Sequence, residues 1–244
     1  MNLISQQMVE FSTLLILVLA VILAVFLTQN YLQTKMKSYL FWSVGLWLFA
    51  LGVFDEVLFS AGYYSEFLIR SYLGIVALLV EFLALGSLQL VKGDRIKKGY
   101  YLFSIASGVA LAYFLATETV GNVLDNYVVF GNLPIGIVTV SSLITFPAAA
   151  VLIATAALTY RKTKNRRMLS IIAGVVVVSI AGSLYIAQFP SLLYYSEFIG
   201  VLLLWLGFFD FSYGRRKTNA REVQGSVLSP NSERLAGKGK NTNP

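Results

Sequence analysis

The sequence predicts an all-α, polytopic membrane protein with seven transmembrane helices. Of its 244 residues, 57% are hydrophobic and only 13% are charged, whereas a soluble domain has about 45–50% apolar and about 25% charged residues. Seven apolar stretches are long enough, or nearly so, to cross ~30 Å of hydrocarbon at about 1.5 Å per residue. The expected fold is therefore one multi-pass helical bundle in the cell membrane.

The polar residues that flank the seven apolar stretches set the boundaries of the predicted helices. The predicted spans are Phe11–Gln29, Tyr39–Ser60, Phe67–Val91, Gly99–Thr117, Ile135–Leu158, Met168–Ala187 and Leu192–Ser212. They make up a transmembrane domain over residues 1–214. Residues 215–244 are rich in Gly, Ser, Asn, Lys and Arg. We expect them to form a disordered basic cytoplasmic tail, because they cannot bury enough apolar surface to fold.

The basic residues lie in every second connection between the predicted spans. Of 19 Lys and Arg residues, only Arg70 falls near the alternate connections, which instead carry Glu10, Glu66, Glu118 and Asp125. Because positively charged loops remain in the cytoplasm, we expect the N-terminus outside the cell and the C-terminus inside. Membrane topology thus accounts for the basic residues behind the net charge of +7. We therefore expect the lipid bilayer, and no nucleic acid, as a partner.

The composition also excludes several kinds of catalytic and metal site. The chain has no cysteine and no histidine, which removes thiolate catalysis, iron–sulfur clusters and the usual ligands of haem, copper and zinc. No nucleophile has an identifiable base beside it in the sequence. We therefore expect no enzyme activity, no metal site and no cofactor.

A pentapeptide, Tyr-Tyr-Ser-Glu-Phe, occurs twice, as Tyr63–Phe67 and as Tyr194–Phe198. One copy opens the third predicted span and the other opens the seventh. In both cases the span before the pentapeptide begins close to a serine, Ser38 or Ser170, that follows a basic loop. The pattern indicates either a parallel repeat, with spans one to three related to spans five to seven, or a coincidence among helix ends rich in aromatic residues and serine.

This 3+1+3 layout resembles the plan shared by microbial rhodopsins and the small sugar-transporting seven-helix proteins. Rhodopsins hold retinal as a Schiff base on a lysine of the seventh helix, and no predicted span has a lysine in its interior, so retinal binding by that chemistry is excluded. The Pro-Gln signature of the sugar transporters is also missing.

A second resemblance covers the second and third spans. Phe41–Trp47 and Arg70–Ile75 are similar to the seven-helix sensor module found ahead of some histidine kinases, and to uncharacterised seven-helix proteins of archaea and bacteria. Because no kinase domain follows, such a sensor would need a separate cytoplasmic partner.

Several ionisable residues fall within the predicted spans, where a charge costs about 2.5–3.5 kcal/mol at the helix centre. Asp55 and Glu56 in span two, Arg70 in span three and Glu197 in span seven lie about 5–8 Å from the outer face. The short connection from Ala61 to Glu66 makes spans two and three neighbours, so an ion pair between Arg70 and Asp55 or Glu56 is geometrically reasonable. This pair belongs either to an outward-facing polar cavity for a cation or a polyhydroxyl solute, or to a structural salt bridge. Four tyrosines at this depth can supply hydroxyl groups: Tyr72, Tyr113, Tyr185 and Tyr195.

Glu81 lies 14 residues into the predicted third span, about 21 Å from its outer end and near the midplane. We expect a carboxyl group at this depth to be either a proton-linked or ion-linked group, or a neutral hydrogen-bonded contact with another helix. The predicted function is small-solute or ion transport, or ligand binding, within the bundle. The alternatives are an accessory subunit whose cytoplasmic tail docks a protein partner, and a sensor without its own output domain.

Overall fold

The structure is a computed structural model that describes residues 3–120, 124–125, 128–129, 134–164, 170, 173–174, 177, 195 and 197–207. The all-α class is confirmed in this part of the chain. The helices are α1 (Leu3–Thr34), α2 (Lys37–Ser60), α3 (Glu66–Leu88), α4 (Asp94–Thr117), α5 (Ile135–Thr163) and α6 (Glu197–Gly207). Between α4 and α5 in the chain, a short antiparallel pair joins β1 (Leu124–Asp125) to β2 (Val128–Val129), and β2 contacts α2.

The first five predicted spans coincide with five helices that are long and apolar enough to cross a membrane. α2 and α4 end at the predicted residues, Ser60 and Thr117, and α5 begins at the predicted Ile135. α6 lies inside the predicted seventh span. Only a few residues of the predicted sixth span are described, all of them helical, and the predicted tail over residues 215–244 lies outside the described residues.

Large apolar side chains cover the outside of the helices. Phe11 on α1, Leu102 on α4 and Phe146 on α5 are 70%, 71% and 75% exposed. Water-soluble monomers rarely expose large contiguous apolar patches. The outer surface therefore suits contact with lipid, which supports the assignment of the chain as a membrane protein.

The turn between α2 and α3 makes these two helices antiparallel neighbours. Gly62 has φ of 85°, a left-handed conformation that glycine adopts without a steric penalty. Ser65 then ends the turn in an extended conformation, and its side chain accepts a hydrogen bond from the Leu68 backbone N–H at 3.1 Å. This serine cap satisfies one of the free N–H groups in the first turn of α3.

Glycines allow α2 and α3 to approach each other closely. A Cβ atom at Gly45 would lie 3.1 Å from the Leu79 carbonyl oxygen and 3.1 Å from Leu83 Cγ. Small residues at such contacts let helix backbones pack together where lipid surrounds them. α1, α2, α3 and α5 contribute the main buried core, which also includes residues of α6.

α4 lies at the periphery of the bundle. It packs against α3 and α5, but only Ser107 and Leu111 among its residues are buried. Glu118 follows α4 and accepts a hydrogen bond at Oε2 from the Ile137 backbone N–H at 3.2 Å. A carboxylate is favourable at this position because the first turn of a helix carries a partial positive charge.

The basic residues gather at the end of the bundle opposite the α2–α3 turn, which we name the basic end. Nine of the ten Lys and Arg residues whose side chains are described lie there: Lys35, Lys37, Lys92, Arg95, Lys97, Lys98, Arg161, Lys162 and Lys164. The tenth is Arg70, near the start of α3.

α1 and α5 end in the same way. Each is followed by a lysine in the left-handed conformation, Lys35 with φ of 54° and Lys164 with φ of 53°. The lysine N–H donates to the carbonyl oxygen of the tyrosine four residues earlier, Tyr31 or Tyr160, at 2.7 Å in both cases. The lysine Nζ also lies 5.6 or 6.0 Å from the centre of that tyrosine ring.

The sequences at these two helix ends also match. Residues 31–37 and 160–166 share the pattern Tyr-x-x-Thr-Lys-x-Lys/Arg, and they are 129 residues apart. This likeness joins the first predicted span to the fifth, whereas the pentapeptide joins the third to the seventh.

Gly174, in the predicted sixth span, is 129 residues after Gly45 and has equivalent surroundings. A Cβ atom there would lie 3.2 Å from the Gly200 carbonyl oxygen and 3.1 Å from Leu204 Cγ. In both helix pairs, a glycine therefore faces a carbonyl oxygen and a leucine four residues further along the neighbouring helix.

The two pentapeptides do not share this register. Leu79 follows Phe67 by 12 residues, but Gly200 follows Phe198 by only two. Accordingly, Tyr64 precedes α3, whereas Tyr195 is already helical. Glu197 thus lies further into its helical segment than Glu66, which is the first residue of α3.

Candidate functional site

Two adjacent carboxyl side chains, Asp55 and Glu56, are buried near the C-terminal end of α2. Each residue is 7% exposed, and they precede the last residue of α2, Ser60, by five and four positions. The Tyr72 hydroxyl of α3 donates to Glu56 Oε1 at 2.7 Å. The Tyr72 ring in turn packs edge-on against Phe59, with ring centroids 5.7 Å apart. Tyr72 therefore holds one oxygen of Glu56 and helps to bury it.

In the part of the chain that the structure describes, three carboxyl oxygens near this end of the bundle are buried without a hydrogen-bond partner: Asp55 Oδ2, Glu56 Oε2 and Glu197 Oε2. Asp55 and Glu56 are neighbours in α2, and Glu197 lies at the start of α6, a helix whose Val201 and Leu204 belong to the same buried core as residues of α2. We name Asp55, Glu56 and Glu197 the acidic cluster. A buried polar group without a partner is costly, so the cluster calls for a physical explanation.

The predicted ion pair between Arg70 and Asp55 or Glu56 is wrong. Arg70 Nη2 instead pairs with Glu66 Oε1 at 2.5 Å, one turn earlier in α3. Its Nη1 donates to the Leu115 carbonyl oxygen, near the end of α4. Arg70 thus connects α3 to α4 and does not neutralise the acidic cluster.

The direction of side chains around α3 explains why Arg70 does not pair with Asp55 or Glu56. Residues two positions apart on a helix point to different sides. Tyr72 faces α2 and reaches Glu56, so Arg70 faces away from α2, toward α4. The prediction used only the depth of Arg70 along the helix and missed its direction.

Glu81 is buried in the C-terminal half of α3 and is 3% exposed. It follows Glu66 by fifteen residues and precedes Leu88 by seven, which places it about 10 Å from the C-terminal end of the helix. Glu81 therefore lies closer to the basic end of the bundle than the prediction, which placed it near the membrane midplane.

Both oxygens of Glu81 have hydrogen-bond donors on α4. Oε2 accepts from the Tyr100 hydroxyl at 2.9 Å, and Oε1 accepts from Ser104 Oγ. Tyr100 and Ser104 are four residues apart, a spacing that puts two side chains on one face of a helix. Glu81 therefore makes a hydrogen-bonded contact between helices, whereas each carboxyl group of the acidic cluster keeps an unpartnered oxygen.

Of the tyrosines expected to supply hydroxyl groups at this depth, the structure describes three, and they differ in their surroundings. Tyr72 donates to Glu56 as described, whereas Tyr113 and Tyr195 are 62% and 58% exposed. Tyr185 lies outside the described residues. The sequence signal that was missed is the Tyr100–Ser104 pair, which marks the face of α4 that meets Glu81.

The acidic cluster does not have the arrangement of a multidentate metal site. Among the described residues, no group of three or more acidic side chains is placed to hold a metal ion. A calcium site needs about six to eight oxygen ligands. The cluster instead provides a few carboxyl oxygens on α2 and α6, two helices that are distant in sequence.

No family model, curated protein or solved structure matches the chain. Function must therefore be argued from the chemistry of the site itself.

Proposed function

We propose that the chain is a seven-helix membrane protein that binds a small cationic solute or ion at the acidic cluster and moves it through the bundle. The observation that carries this proposal is the burial of Asp55 and Glu56 with oxygens that have no hydrogen-bond partner. Isolated buried carboxylates are costly unless a positive charge accompanies them. No basic side chain among the described residues pairs with these carboxyl groups, which leaves that role to a ligand that can bind and leave.

The proposed orientation has the N-terminus outside and the C-terminus in the cytoplasm. The nine basic residues of the basic end support it, because cytoplasmic loops carry an excess of Lys and Arg. In this orientation the acidic cluster lies toward the outer face. The seven-helix count is supported by α6 and by the helical residues of the predicted sixth span.

Glu81 has a separate role in this proposal. Both of its oxygens have donors on α4, so it requires no ligand to satisfy them. We assign it to the attachment of α4, together with Arg70, whose Nη1 donates to the Leu115 carbonyl oxygen. The binding site is therefore limited to the acidic cluster and the hydroxyl group of Tyr72.

Flux measurements on purified protein in liposomes test the proposal. We expect the protein to dissipate an imposed gradient of sodium or protons, and Glu56→Gln to slow this flux at least about tenfold, since one carboxylate contact to a cation is worth more than ~1.4 kcal/mol. Glu66→Gln is the matched control, because Glu66 is the exposed glutamate of the first pentapeptide. Vesicles that behave like protein-free ones with every cation tried would overturn the proposal.

An accessory subunit of a membrane complex is a second candidate, and the surface of α4 favours it. Leu102, Ile105 and Val109 on this helix are 71%, 65% and 66% exposed, so a partner helix can cover them as well as lipid can. Native mass spectrometry of protein extracted from its own membranes in mild detergent distinguishes the two. Stoichiometric partner subunits would favour the accessory function, whereas a lone chain or a homo-oligomer would favour transport.

A further inference from the structure

The outer side of α4 carries a stripe of apolar side chains: Leu102, Ile105, Val109 and Tyr113. All four side chains are exposed. They are three or four residues apart, a spacing that places side chains on one side of an α-helix. We name these four residues the outward strip. α4 therefore presents a continuous, mainly apolar surface to its surroundings.

The outward strip lies opposite the face that α4 turns toward the bundle. On that inner face Ser104 donates to Glu81 of α3, and Leu111 is buried. Because each residue turns an α-helix by about 100°, Leu102 lies about 160° around the helix from Ser104, and Val109 lies about 160° from Leu111. One face of α4 thus attaches it to the bundle, and the other is free to contact lipid or another molecule.

Two cationic side chains continue the outward strip at its basic end. Arg95 and Lys98 precede Leu102 by seven and four residues, so all three lie on the same side of α4. Both cations are exposed, and neither forms an ion pair with any residue that the structure describes. This side of α4 therefore has positive charge at one end and apolar surface along its length.

The connection between α3 and α4 adds to this positive charge. Residues 92–98 contain four basic residues and one acidic residue, Asp94, which gives the segment a net charge of +3. Lys97 Nζ donates to the Gln89 carbonyl oxygen at 3.3 Å, so it is held at the end of α3. Lys92, by contrast, is exposed. The exposed cations of this segment are available to an anion at the membrane surface.

The length of the charged and apolar surface matches that of one phospholipid. Lys98 and Val109 are eleven residues apart, or about 16 Å along the helix axis at about 1.5 Å per residue. One leaflet contributes about half of the ~30 Å hydrocarbon thickness of a bilayer. A phosphate group at Arg95 and Lys98 would therefore leave its acyl chains along the outward strip.

We propose that an anionic phospholipid binds along the outward strip, with its phosphate group at Arg95 and Lys98. An anionic headgroup complements these two cations, whereas a zwitterionic headgroup brings a cation of its own. In the proposed orientation this end of α4 meets the cytoplasmic leaflet, which carries anionic lipids. The lipid site is separate from the acidic cluster and does not depend on the proposed transport function.

The positive charge favours a lipid over a partner helix as the occupant. A partner helix would cover the apolar residues of the outward strip equally well. It would also have to supply acidic side chains opposite Arg95 and Lys98, at the level where the helix leaves the hydrocarbon. An anionic phospholipid has both the apolar and the charged group in one molecule.

The test uses a fluorescent probe on the outward strip. Because the sequence has no cysteine, Leu102→Cys can be labelled with bimane at this one position. The labelled protein is reconstituted in liposomes of phosphatidylcholine and phosphatidylglycerol, and one of the two lipids carries bromine atoms on its acyl chains, which quench a fluorophore in contact with them. We expect quenching to show about a fivefold preference for phosphatidylglycerol, the equivalent of about 1 kcal/mol from one Lys or Arg contact.

Charge variants that carry the same label locate the site. The double variant Arg95→Gln with Lys98→Gln should lose the preference for phosphatidylglycerol, and each single variant should weaken it. Arg161→Gln with Lys162→Gln is the matched control, because it removes two exposed cations of the basic end from α5. This control should keep most of the preference. If the first double variant does not fold, its two single variants still provide the comparison.

Four results would overturn the inference. Equal quenching by the two brominated lipids would show that the anionic headgroup is not preferred. Equal losses in the two double variants would indicate general attraction to the basic end and no binding at α4. Weak quenching by both lipids would show that protein, either a partner helix or a second copy of the chain, covers the outward strip. A preference abolished by inorganic phosphate at constant ionic strength would assign the cations to a free anion.

Discussion

The indole ring of Trp42 on α2 occupies the space that a Cβ atom would take at Gly86 on α3. Such an atom would lie 2.6 Å from the indole Nε1, closer than any normal contact. The same Nε1 donates to Ser87 Oγ at 3.2 Å in buried surroundings. One side chain thus combines a close packing contact with a hydrogen bond, and both depend on the absence of a side chain at Gly86.

Gly86→Ala should therefore destabilise the protein by about 1–3 kcal/mol, the usual effect of forcing extra volume into a packed interior. Displacement of the indole should also change the tryptophan emission. Thermal unfolding followed by fluorescence measures both effects. Gly108→Ala on α4 is the control, since nothing lies within 4 Å of its Cβ position, and equal losses in the two variants would contradict the packing argument.

Arg70→Ala should leave the proposed cation flux unchanged, because Arg70 contacts Glu66 and the Leu115 carbonyl oxygen and not the acidic cluster. It should still cost about 1–2 kcal/mol of stability through the lost hydrogen bond to α4, with little from the exposed ion pair. Flux in liposomes and thermal unfolding of the purified variant provide the two measurements. A loss of flux in this variant would place Arg70 in the binding site after all.

Glu81→Leu should destabilise the protein more than Glu81→Gln. Leucine removes the acceptor for both Tyr100 and Ser104, whereas glutamine retains one carbonyl oxygen. We expect a difference of about 1–2 kcal/mol, the range for a buried donor left without its partner. Unfolding of the two variants under identical detergent conditions measures it, and equal stabilities would show that these hydrogen bonds do not hold α4.

Single cysteine substitutions should establish the orientation of the chain in the membrane. The sequence has no cysteine, so each introduced thiol is the only target for a maleimide. Tyr63→Cys, at a position that is 68% exposed in the α2–α3 turn, should react from outside intact cells with a membrane-impermeant reagent. Lys98→Cys, at the basic end, should react only after permeabilisation. The reverse pattern would show that the proposed orientation is inverted.

The sequence predicts the helices well because hydrophobicity and length decide where a chain crosses a membrane. Ser60, Thr117 and Ile135 each mark a helix boundary in both the prediction and the structure. Hydrophobicity and length do not determine the direction in which a particular side chain points around its helix. Arg70 illustrates the difference, since its depth along α3 matches that of the acidic residues while its side chain faces another helix.

The repeated features illustrate a second limit. The pentapeptide is visible in the sequence because five consecutive residues are identical. The Tyr-x-x-Thr-Lys-x-Lys/Arg pattern is spread over seven positions, and it becomes apparent only when Lys35 and Lys164 share one backbone conformation. Gly45 and Gly174 are single residues, so only their equivalent surroundings identify them as counterparts.

The polar contacts between α3 and α4 also bear on the order in which the bundle assembles. Within a bilayer, apolar surface gains nothing by leaving lipid for another helix, so hydrogen bonds and close packing must hold helices together. α4 has few buried residues and is held to α3 through Arg70 near one end and Glu81 nearer the other. α4 should therefore dock late, onto an existing group of α1, α2, α3 and α5, and it should be the first helix to separate when detergent replaces lipid.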